Sequence, residues 1–461
     1  MNKTSLTEGA PWKGILSFMT PVLLGLLLQQ LYNTVDTIIV GNFAGESPLA
    51  AVGACGVLTM AFLALANGFS AGACILIAQL FGADREADMR RQASSSLLVM
   101  LGMGVLASIV GVFISRFALQ YILATPVGLM DMADIYFKIY AAGLIFQFGY
   151  NIVAAILRGI GDSKATLYFL LVASVINVVL DILFVYNLKM GVAGAAIATD
   201  IAQALSCVVG VVYMMKKYPL FRWKLRELTF EWQLAKRSLK AGFPMALQQF
   251  IVSFGFVFIQ RAVNSYGEAM TASYSVAQKV ETYMTLPANA LMTTQGTYTG
   301  QNMGAGRLDR VKTGAKQTFL ISEVVSICIL TVVFVFAKPI VAAFGLGPEA
   351  IGYCTAHVRF VALCMPIFAS YFPLLGLFQG ANNALFSTFV ATGALTVRVA
   401  VTYLLQGVAG IGYHMIWWNT LFGWGFGCMA AWLHFLRGKW QEKSAVQKNH
   451  KSKIILRRSL S

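Results

Sequence analysis

The sequence predicts an all-α integral membrane protein with about twelve transmembrane helices in two pseudo-symmetric six-helix bundles. Of its 461 residues, 58% are hydrophobic and only 12% are charged, which is too little charge for the surface of a soluble protein of this size. Apolar runs of roughly 20 residues or more recur along the chain, as membrane-spanning helices require. These runs do not alternate apolar with polar residues, so they do not indicate the strands of a β-barrel.

Twelve apolar segments follow one another along the chain. Several exceed the roughly 20 residues that cross a bilayer, so we expect those helices to tilt or to project beyond it. The first six lie near residues 14–40, 47–79, 93–123, 133–158, 165–188 and 191–215. The second six lie near residues 241–265, 269–300, 317–344, 348–378, 384–406 and 410–436.

The basic residues concentrate in alternate loops, and this asymmetry orients the chain, because cytoplasmic loops carry the excess of Lys and Arg. We predict a cytoplasmic N-terminus at 1–13, an N-terminal lobe at 14–215, a cytoplasmic linker at 216–240, a C-terminal lobe at 241–436 and a basic cytoplasmic tail at 437–461. This topology accounts for the net charge of +16, so we expect no nucleic-acid partner. The tail either binds anionic membrane lipids or is a solvated end.

The two halves resemble each other. The stretch "IAQLFGADREAD" at 77–88 matches "TGQNMGAGRLDR" at 299–310, and Pro21 corresponds to Pro244 at nearly the same offset. Two six-span halves of the same orientation form a parallel repeat, and such repeats in transporters enclose a binding cavity where the halves meet. The duplication therefore favours a transporter over a membrane-anchored enzyme.

Two acidic residues stand out inside apolar segments of the first half. Asp36 and Asp181 are each the only charged residue of their span, and such a group costs roughly 2.5–3.5 kcal/mol on insertion scales. Tyr32 and Asn177 lie one helical turn before them, on the same helix faces, and Thr199 follows in the next span. These oxygens could coordinate Na⁺ or hold a proton. The alternative is that the two acids are hydrogen-bonding links between helices.

The second half carries a different set of charges in apolar surroundings, namely Arg261, Lys279, Glu281, Arg359 and Arg398. A buried charge needs a partner, and we expect Glu281 to pair with Arg398 or with Lys279. This C-lobe polar network is either a structural ion-pair network or part of the substrate route.

The sequence does not indicate disulfides, a cysteine metal site, ATP binding or an enzyme active site. The seven cysteines are scattered without CxxC spacing, so we expect neither disulfides nor a cysteine metal site. No GxxxxGK[ST] loop is present, which argues against ATP as the energy source. A membrane enzyme would need a nucleophile and base, or metal ligands, at the membrane surface. We find no such set, and we expect no cofactor beyond a coupling ion.

The order and spacing of several segments resemble the multidrug and toxic compound extrusion (MATE) transporters, in the prokaryotic DinF-like branch. The resemblance covers nearly the whole chain. The segments that carry it include "PVLLGLLLQQLYNTVDTIIVG" (21–41), "AAILRGIGDSKATLYFLLVASVINVVLD" (154–181), "GVAGAAIATD" (191–200) and "AQKVETYMTLPANAL" (277–291).

This resemblance implies a V-shaped pair of six-helix bundles that rocks between outward-open and inward-open states in a bacterial or archaeal plasma membrane. It implies export of cationic or amphipathic small molecules, driven by inward Na⁺ or H⁺, by a monomer. Pro21 would be the position at which the first helix bends. The family's N-lobe cation site would fall on Asp36, Asn177, Asp181 and Thr199, with Tyr32 and Tyr136 as neighbours.

One departure from the family pattern concerns the second half. Some members carry acidic residues in the seventh and tenth helices, and this chain has none in 241–265 or in 350–378. We therefore place coupling on the acids of the N-terminal lobe. The alternative function is a lipid-linked oligosaccharide flippase of the same superfamily, because such proteins tend to have cationic cavities and Arg261, Arg359 and Arg398 could supply one.

Overall fold

A computed structural model describes residues 5–406, 408 and 410–443. The part of the predicted basic tail beyond residue 443, and with it any contact of that part with lipid, lies outside the described residues. Within the described ranges the protein is built from helices and turns and contains no β-strand.

The helices of the first half are α1 (Pro11–Ile39), α2 (Glu46–Gly82), α3 (Glu86–Phe117), α4 (Val127–Ala142), α5 (Leu144–Gly159), α6 (Ser163–Asp181) and α7 (Gly191–Lys217). Those of the second half are α8 (Trp232–Asn264), α9 (Glu268–Gly304), α10 (Leu308–Ala342), α11 (Pro348–Gly380), α12 (Ala384–Gln406) and α13 (Met415–Arg437). Short π-helical segments extend α1, α3 and α6 at Val40–Ala44, Ala118–Ile122 and Ile182–Asn187.

The helix α4 meets α5 at Gly143 with a bend of 44°. In the part of the chain that the structure describes, nine helices are long and apolar enough to cross a membrane, and the α4–α5 pair makes a tenth. Neither α9, with its run "TTQGTYTGQN", nor α13, which is rich in Trp and Gly, is among them. The all-helical membrane fold is confirmed, whereas the number of twelve spans stays a prediction.

The chain divides into two compact units. Unit 1 contains Leu24–Leu247, and unit 2 contains Leu6–Leu23 together with the chain from Gln248 onwards. These units differ from the predicted lobes 14–215 and 241–436 because α1 and α8 each contribute residues to both. Position along the chain assigns a whole helix to one lobe, but packing contacts divide these two helices.

The predicted linker at 216–240 belongs to unit 1, where it packs on the start of α3. Arg90 donates a hydrogen bond to Glu227 Oε2 at 2.8 Å, and Ser94 Oγ donates to the carbonyl of Thr229 at 3.0 Å. Phe221 is fully buried. The linker is thus a folded part of unit 1.

The N-terminal segment is held in unit 2 by the repeated motif at 299–310. The amide of Leu6 donates to Gln301 Oε1 at 3.0 Å, and Arg310 Nη1 donates to the carbonyl of Gly9 at 2.9 Å. Arg307 Nη1 donates to the carbonyl of Thr7 at 2.7 Å. The motif therefore satisfies backbone groups that precede α1, which anchors the beginning of that helix.

Small residues bring α2 and α8 together inside unit 1. A Cβ on Gly68 would lie 2.2 Å from the Cα of Ala246, and a Cβ on Gly72 would lie 2.3 Å from the amide nitrogen of Gly242. Each helix presents a small residue at i and i+4, which is the pattern that lets membrane helices approach backbone to backbone. Even an alanine at Gly72 would force the two backbones apart.

Replacing Gly72 by Ala is expected to destabilise unit 1 by about 1–3 kcal/mol, the usual cost of overpacking. The matched control is Gly53→Ala on the same helix, because a Cβ there meets nothing within 4 Å. Thermal unfolding of the two purified variants in detergent measures the difference. Equal melting temperatures for Gly72→Ala and wild type would contradict the close approach of α2 and α8.

A buried carboxylate joins α5, α6 and α7 outside the apolar spans. Asp162 Oδ2 accepts hydrogen bonds from Tyr218 at 2.7 Å, Lys217 at 2.9 Å and Tyr213 at 3.0 Å. Its Oδ1 accepts from the amide of Ala165 at 3.2 Å and so caps α6. Burial by itself raises the pKa of Asp162, but the hydrogen bonds from Lys217 and Tyr218 outweigh it, and the pKa lies below its usual value.

Asp162→Asn is expected to lower the melting temperature by several degrees at pH 7, because the ionised carboxylate is the favoured form in the folded state. A depressed pKa contributes stability above the unfolded value of about 3.9, and that stability is lost as the pH falls through the folded pKa. The difference between Asp162→Asn and wild type should therefore narrow below about pH 4. A constant difference across pH 3–8 would assign the effect to packing instead.

Candidate functional site

The two acids singled out from the sequence meet in unit 1. Asp36 lies in the last turns of α1, and Asp181 is the last residue of α6 before its π-helical segment. Their carboxyl groups contact each other. Two ionised carboxylates have only acceptor oxygens and repel each other. A proton shared between them, or a cation bound by both, makes this contact favourable.

The polar atoms around this contact have no protein partner. Asp181 is fully buried and Asn177 is 1% exposed. Both carboxylate oxygens of Asp181, both polar atoms of the Asn177 side chain and one oxygen of Asp36 make no hydrogen bond within the described chain. A buried polar group without a partner costs about 1–3 kcal/mol. The arrangement therefore fits a site built for a ligand better than hydrogen-bonding glue between helices.

The other predicted neighbours lie beside the two acids. Tyr32 lies beside Thr199 and interacts electrostatically with both Asp36 and Asp181. Tyr136, which is 8% exposed, interacts with Asp36. The structure thus places side chains from α1, α4, α6 and α7 around one position. Their oxygens suit Na⁺ or a proton equally well.

None of the ion pairs in the described part of unit 1 reaches this site. The ion pairs that form there involve other acids, such as Asp134 with Lys138 at 2.7 Å and Asp162 with Lys217 at 2.9 Å. Asp36 and Asp181 therefore have no cationic side chain to neutralise them. A proton or a bound cation could neutralise them.

Sequence reasoning missed a third acid next to this site. Asp200 follows Thr199 on α7, and its carboxylate lies against Gly143, where α4 meets α5. It also interacts electrostatically with Tyr32 and Tyr140. The signal was present, because Asp200 is the only charged residue from Gly191 to residue 215. Its neighbour at the helix bend could not be read from the sequence.

The predicted bend at Pro21 is not a break in the helix. α1 runs as one element from Pro11 to Ile39 with Pro21 inside it. Proline removes one backbone hydrogen bond and permits a kink, so bending at this position stays a prediction.

The C-lobe polar network is a closed cluster in unit 2. Arg398 is 5% exposed and donates to Asn419 Oδ1 at 3.1 Å, to Thr420 Oγ1 at 3.0 Å and to Glu281 Oε1 at 3.4 Å. Lys279 is exposed, and no ion pair in the described chain includes it. The partner of Glu281 is therefore Arg398. Of the two pairings predicted for Glu281, the structure shows the one with Arg398 and not the one with Lys279.

The repeat relates this cluster to the cation-site positions of unit 1. "LRGIGDS" (157–163) aligns with "FQGANNA" (378–384), and the same offset takes Asn177, Asp181 and Thr199 to Arg398, Thr402 and Thr420. In unit 2 these three side chains are linked by hydrogen bonds directly or through Asn419. Equivalent positions thus form a satisfied structural cluster in one half and an unsatisfied, negatively charged one in the other.

A family model agrees with this architecture. The model described as MatE matches residues 21–183 and 244–404, one match in each half. The chain belongs to the MATE family. The double match also agrees with the internal repeat seen in the sequence, and the MATE family consists of transporters.

Relatives and solved structures extend over the whole chain. "Probable multidrug resistance protein YpnP" of Bacillus subtilis is 28% identical over 96% of this chain and 98% of its own length. "Probable multidrug resistance protein NorM" of Thermotoga maritima is 22% identical over 94% of each. A structure described as "Outward-facing conformation of a multidrug resistance MATE family transporter of the MOP superfamily" matches with a TM-score of 0.89 at 24% identity, over 97% of this chain and 99% of that one. At this identity the structure supports the MATE fold, and the DinF-like branch stays a prediction.

Replacing Glu281 by Gln is expected to destabilise unit 2, because the buried guanidinium of Arg398 loses its only charged partner within the described residues. The cost should be about 1–3 kcal/mol, since the amide still offers one acceptor oxygen. Lys279→Gln is the matched control, two residues away on the same helix and exposed. Melting temperatures in detergent compare the two. A larger loss for Lys279→Gln than for Glu281→Gln would contradict the structural role of this pair.

Proposed function

We propose that this MATE protein is a secondary active efflux transporter in which inward movement of Na⁺ or H⁺ drives export of organic cations or amphipathic drugs. The observation that carries the proposal is the contact between Asp36 and Asp181 without any cationic side chain beside them. A structural pair of this kind would be expected to have a permanent partner. A coupling site instead needs to bind its cation and release it in every cycle.

Cation binding would be coupled to transport through the difference in net charge between the cation-bound and the empty Asp36–Asp181 site. With a cation bound, the Asp36 and Asp181 oxygens, the Asn177 amide oxygen and the Thr199 hydroxyl are all satisfied. Without it, the two carboxylates repel each other. A cation can shift an equilibrium between outward-open and inward-open states only by its differential affinity for them. A tenfold difference in affinity corresponds to about 1.4 kcal/mol.

The relatives support this substrate class, since their names describe multidrug resistance proteins. A rocking movement is consistent with structures of similar proteins described as MATE in straight and bent conformations. We further propose a monomer in the plasma membrane of a bacterium or archaeon, with both termini cytoplasmic. The positive loops support that orientation.

The flippase alternative has no support from the arginines on which it depended. Arg398 is buried and paired with Glu281. Arg261 and Arg359 are exposed, and Arg359 donates to the carbonyl of Phe334 at 3.1 Å. These three residues do not form one buried cationic surface of the kind that a phosphorylated lipid headgroup would require.

The double variant Asp36→Asn/Asp181→Asn is expected to abolish ion-driven efflux while the protein still inserts and purifies. Neutral amides remove the charge that binds the cation but keep the shape of the site. The assay reconstitutes the protein in liposomes and follows ethidium movement under an imposed Na⁺ gradient or an imposed pH gradient, one at a time.

The control is Asp131→Asn, the same change at an acid whose side chain is 82% exposed, and it should transport like wild type. The gradient that drives the wild-type protein identifies the coupling ion. Unchanged ethidium efflux by the double variant would refute the assignment of the cation site.

A further inference from the structure

The first turns of α8 form an amphipathic surface on unit 1. Their inner side packs on α3, because Ala235 is fully buried and Ser238 is hydrogen-bonded to side chains of that helix. Residues spaced by three or four positions share a helix face. The outer side at this spacing carries one aromatic ring and three cations, all exposed, which we call the α8 basic surface: Trp232, Lys236, Arg237 and Lys240.

Hydrogen bonds from the linker place this surface at the edge of the apolar spans. Ser94 Oγ donates to the carbonyl of Thr229 at 3.0 Å, and the amide of Glu231 donates to Ser95 Oγ at 3.1 Å. The two serines stand at the beginning of the apolar segment 93–123 of α3. The chain that leads into α8 therefore lies at the level where α3 is expected to enter the membrane.

Two aromatic side chains are exposed at this level. Phe230 is 54% exposed and Trp232 is 62% exposed, and their ring centroids are 6.4 Å apart. Leaving large apolar rings in water is unfavourable, whereas aromatic rings with a polar atom, such as indole, are favoured at the interface between membrane and water. The position and the chemistry of these rings therefore match a lipid environment.

The cations of the α8 basic surface belong to none of the ion pairs within the described chain. Residues 218–240 contain six basic residues and only two acidic ones. Both acids are already paired with α3, Glu227 with Arg90 at 2.8 Å and Glu231 with Arg91 at 3.6 Å. The positive charge of this surface is thus left for a partner outside the chain.

Topology alone does not account for this surface. In the other half of the repeat, residues 1–23 lead into α1 with two basic residues, Lys3 and Lys13, against six in 218–240. An excess of Lys and Arg orients a membrane chain, but that rule requires no exposed aromatic rings beside the charges. Rings and cations together at a membrane edge are complementary to a lipid that has acyl chains and an anionic headgroup.

We propose that the α8 basic surface and Phe230 bind anionic phospholipids of the cytoplasmic leaflet. The two rings lie against the lipid at the interface, and the three cations contact the headgroup phosphates. The negative surface potential of that leaflet attracts clusters of Lys and Arg. Lipid binding at this surface does not require cation coupling, so either proposal can fail while the other stands.

Native mass spectrometry of the detergent-purified full chain tests the lipid preference. The probe is phosphatidylglycerol, and phosphatidylcholine serves as the lipid without net charge. Wild type should bind phosphatidylglycerol more tightly. Lys236→Gln/Lys240→Gln should weaken phosphatidylglycerol binding about tenfold, because each basic residue near an anionic surface strengthens binding severalfold. Binding of phosphatidylcholine should not change.

The matched control is Lys312→Gln/Lys316→Gln, an exposed lysine pair with the same i, i+4 spacing at the start of α10. No aromatic residue lies in 305–318, so this variant should bind phosphatidylglycerol like wild type. Equal weakening by the two double variants would overturn the proposal, because binding would then follow total charge. Equal affinity of wild type for the two lipids would overturn it as well.

Trp232 reports on the position of the surface in proteoliposomes that contain both lipids. Phospholipids brominated on their acyl chains quench the fluorescence of tryptophans that contact them, and the contribution of Trp232 is the difference between wild type and Trp232→Phe. Brominated phosphatidylglycerol should quench this contribution more than brominated phosphatidylcholine does. The same difference measured in the Lys236→Gln/Lys240→Gln background should show no preference.

The other occupants of the surface give different results in this experiment. A Trp232 contribution that neither lipid quenches would place the ring in water or against a protein, and would overturn the proposal. Equal quenching by both lipids in the wild-type background would show an interfacial ring without selectivity for anionic lipid, which also contradicts it. The substituted side chains are all exposed, and size-exclusion profiles would confirm that the variants fold.

Discussion

A pair of carboxyl groups in contact, inside an apolar unit and without a cationic side chain, is the constraint on which the rest of this protein depends. Neither lipid nor a basic side chain of the described chain neutralises Asp36 and Asp181, and this is why we propose that a mobile cation occupies the site. The same electrostatics that would make the pair costly in a purely structural role provide the driving force for binding a cation. Oxygen atoms of Asn177, Thr199 and Tyr32 lie where they can share in that binding.

The helices around the site are irregular where the acids lie. α6 changes to a π-helical segment directly after Asp181, and α1 does so four residues after Asp36, at Val40. Phe43 and Tyr186, one from each of these segments, have ring centroids 4.8 Å apart. π-Helical turns occur frequently at functional sites. Together with the bend at Gly143, these segments show that the helices of unit 1 are irregular near the proposed cation site.

The two halves show how one repeated fold acquires two roles. Arg398 and Thr420 of unit 2 correspond to Asn177 and Thr199 of unit 1, yet the guanidinium of Arg398 is neutralised by Glu281 and hydrogen-bonded on both sides. A fixed cation in unit 2 removes the need for a mobile one. We infer that unit 2 has a permanently satisfied polar core while unit 1 has the exchangeable site, which agrees with the lack of acidic residues in 241–265.

The sequence by itself determined the membrane class, the helical composition and the duplication, because hydrophobicity, length and repeat spacing are local properties. It also singled out Asp36 and Asp181, because a charged residue inside an apolar span can be recognised from the linear sequence. Only the tertiary structure decided that these two carboxyls meet and that Arg398 pairs with Glu281 while Lys279 is exposed. It alone placed Asp200 against Gly143. Those facts depend on contacts between helices distant in sequence, and no local pattern encodes which faces will pack together.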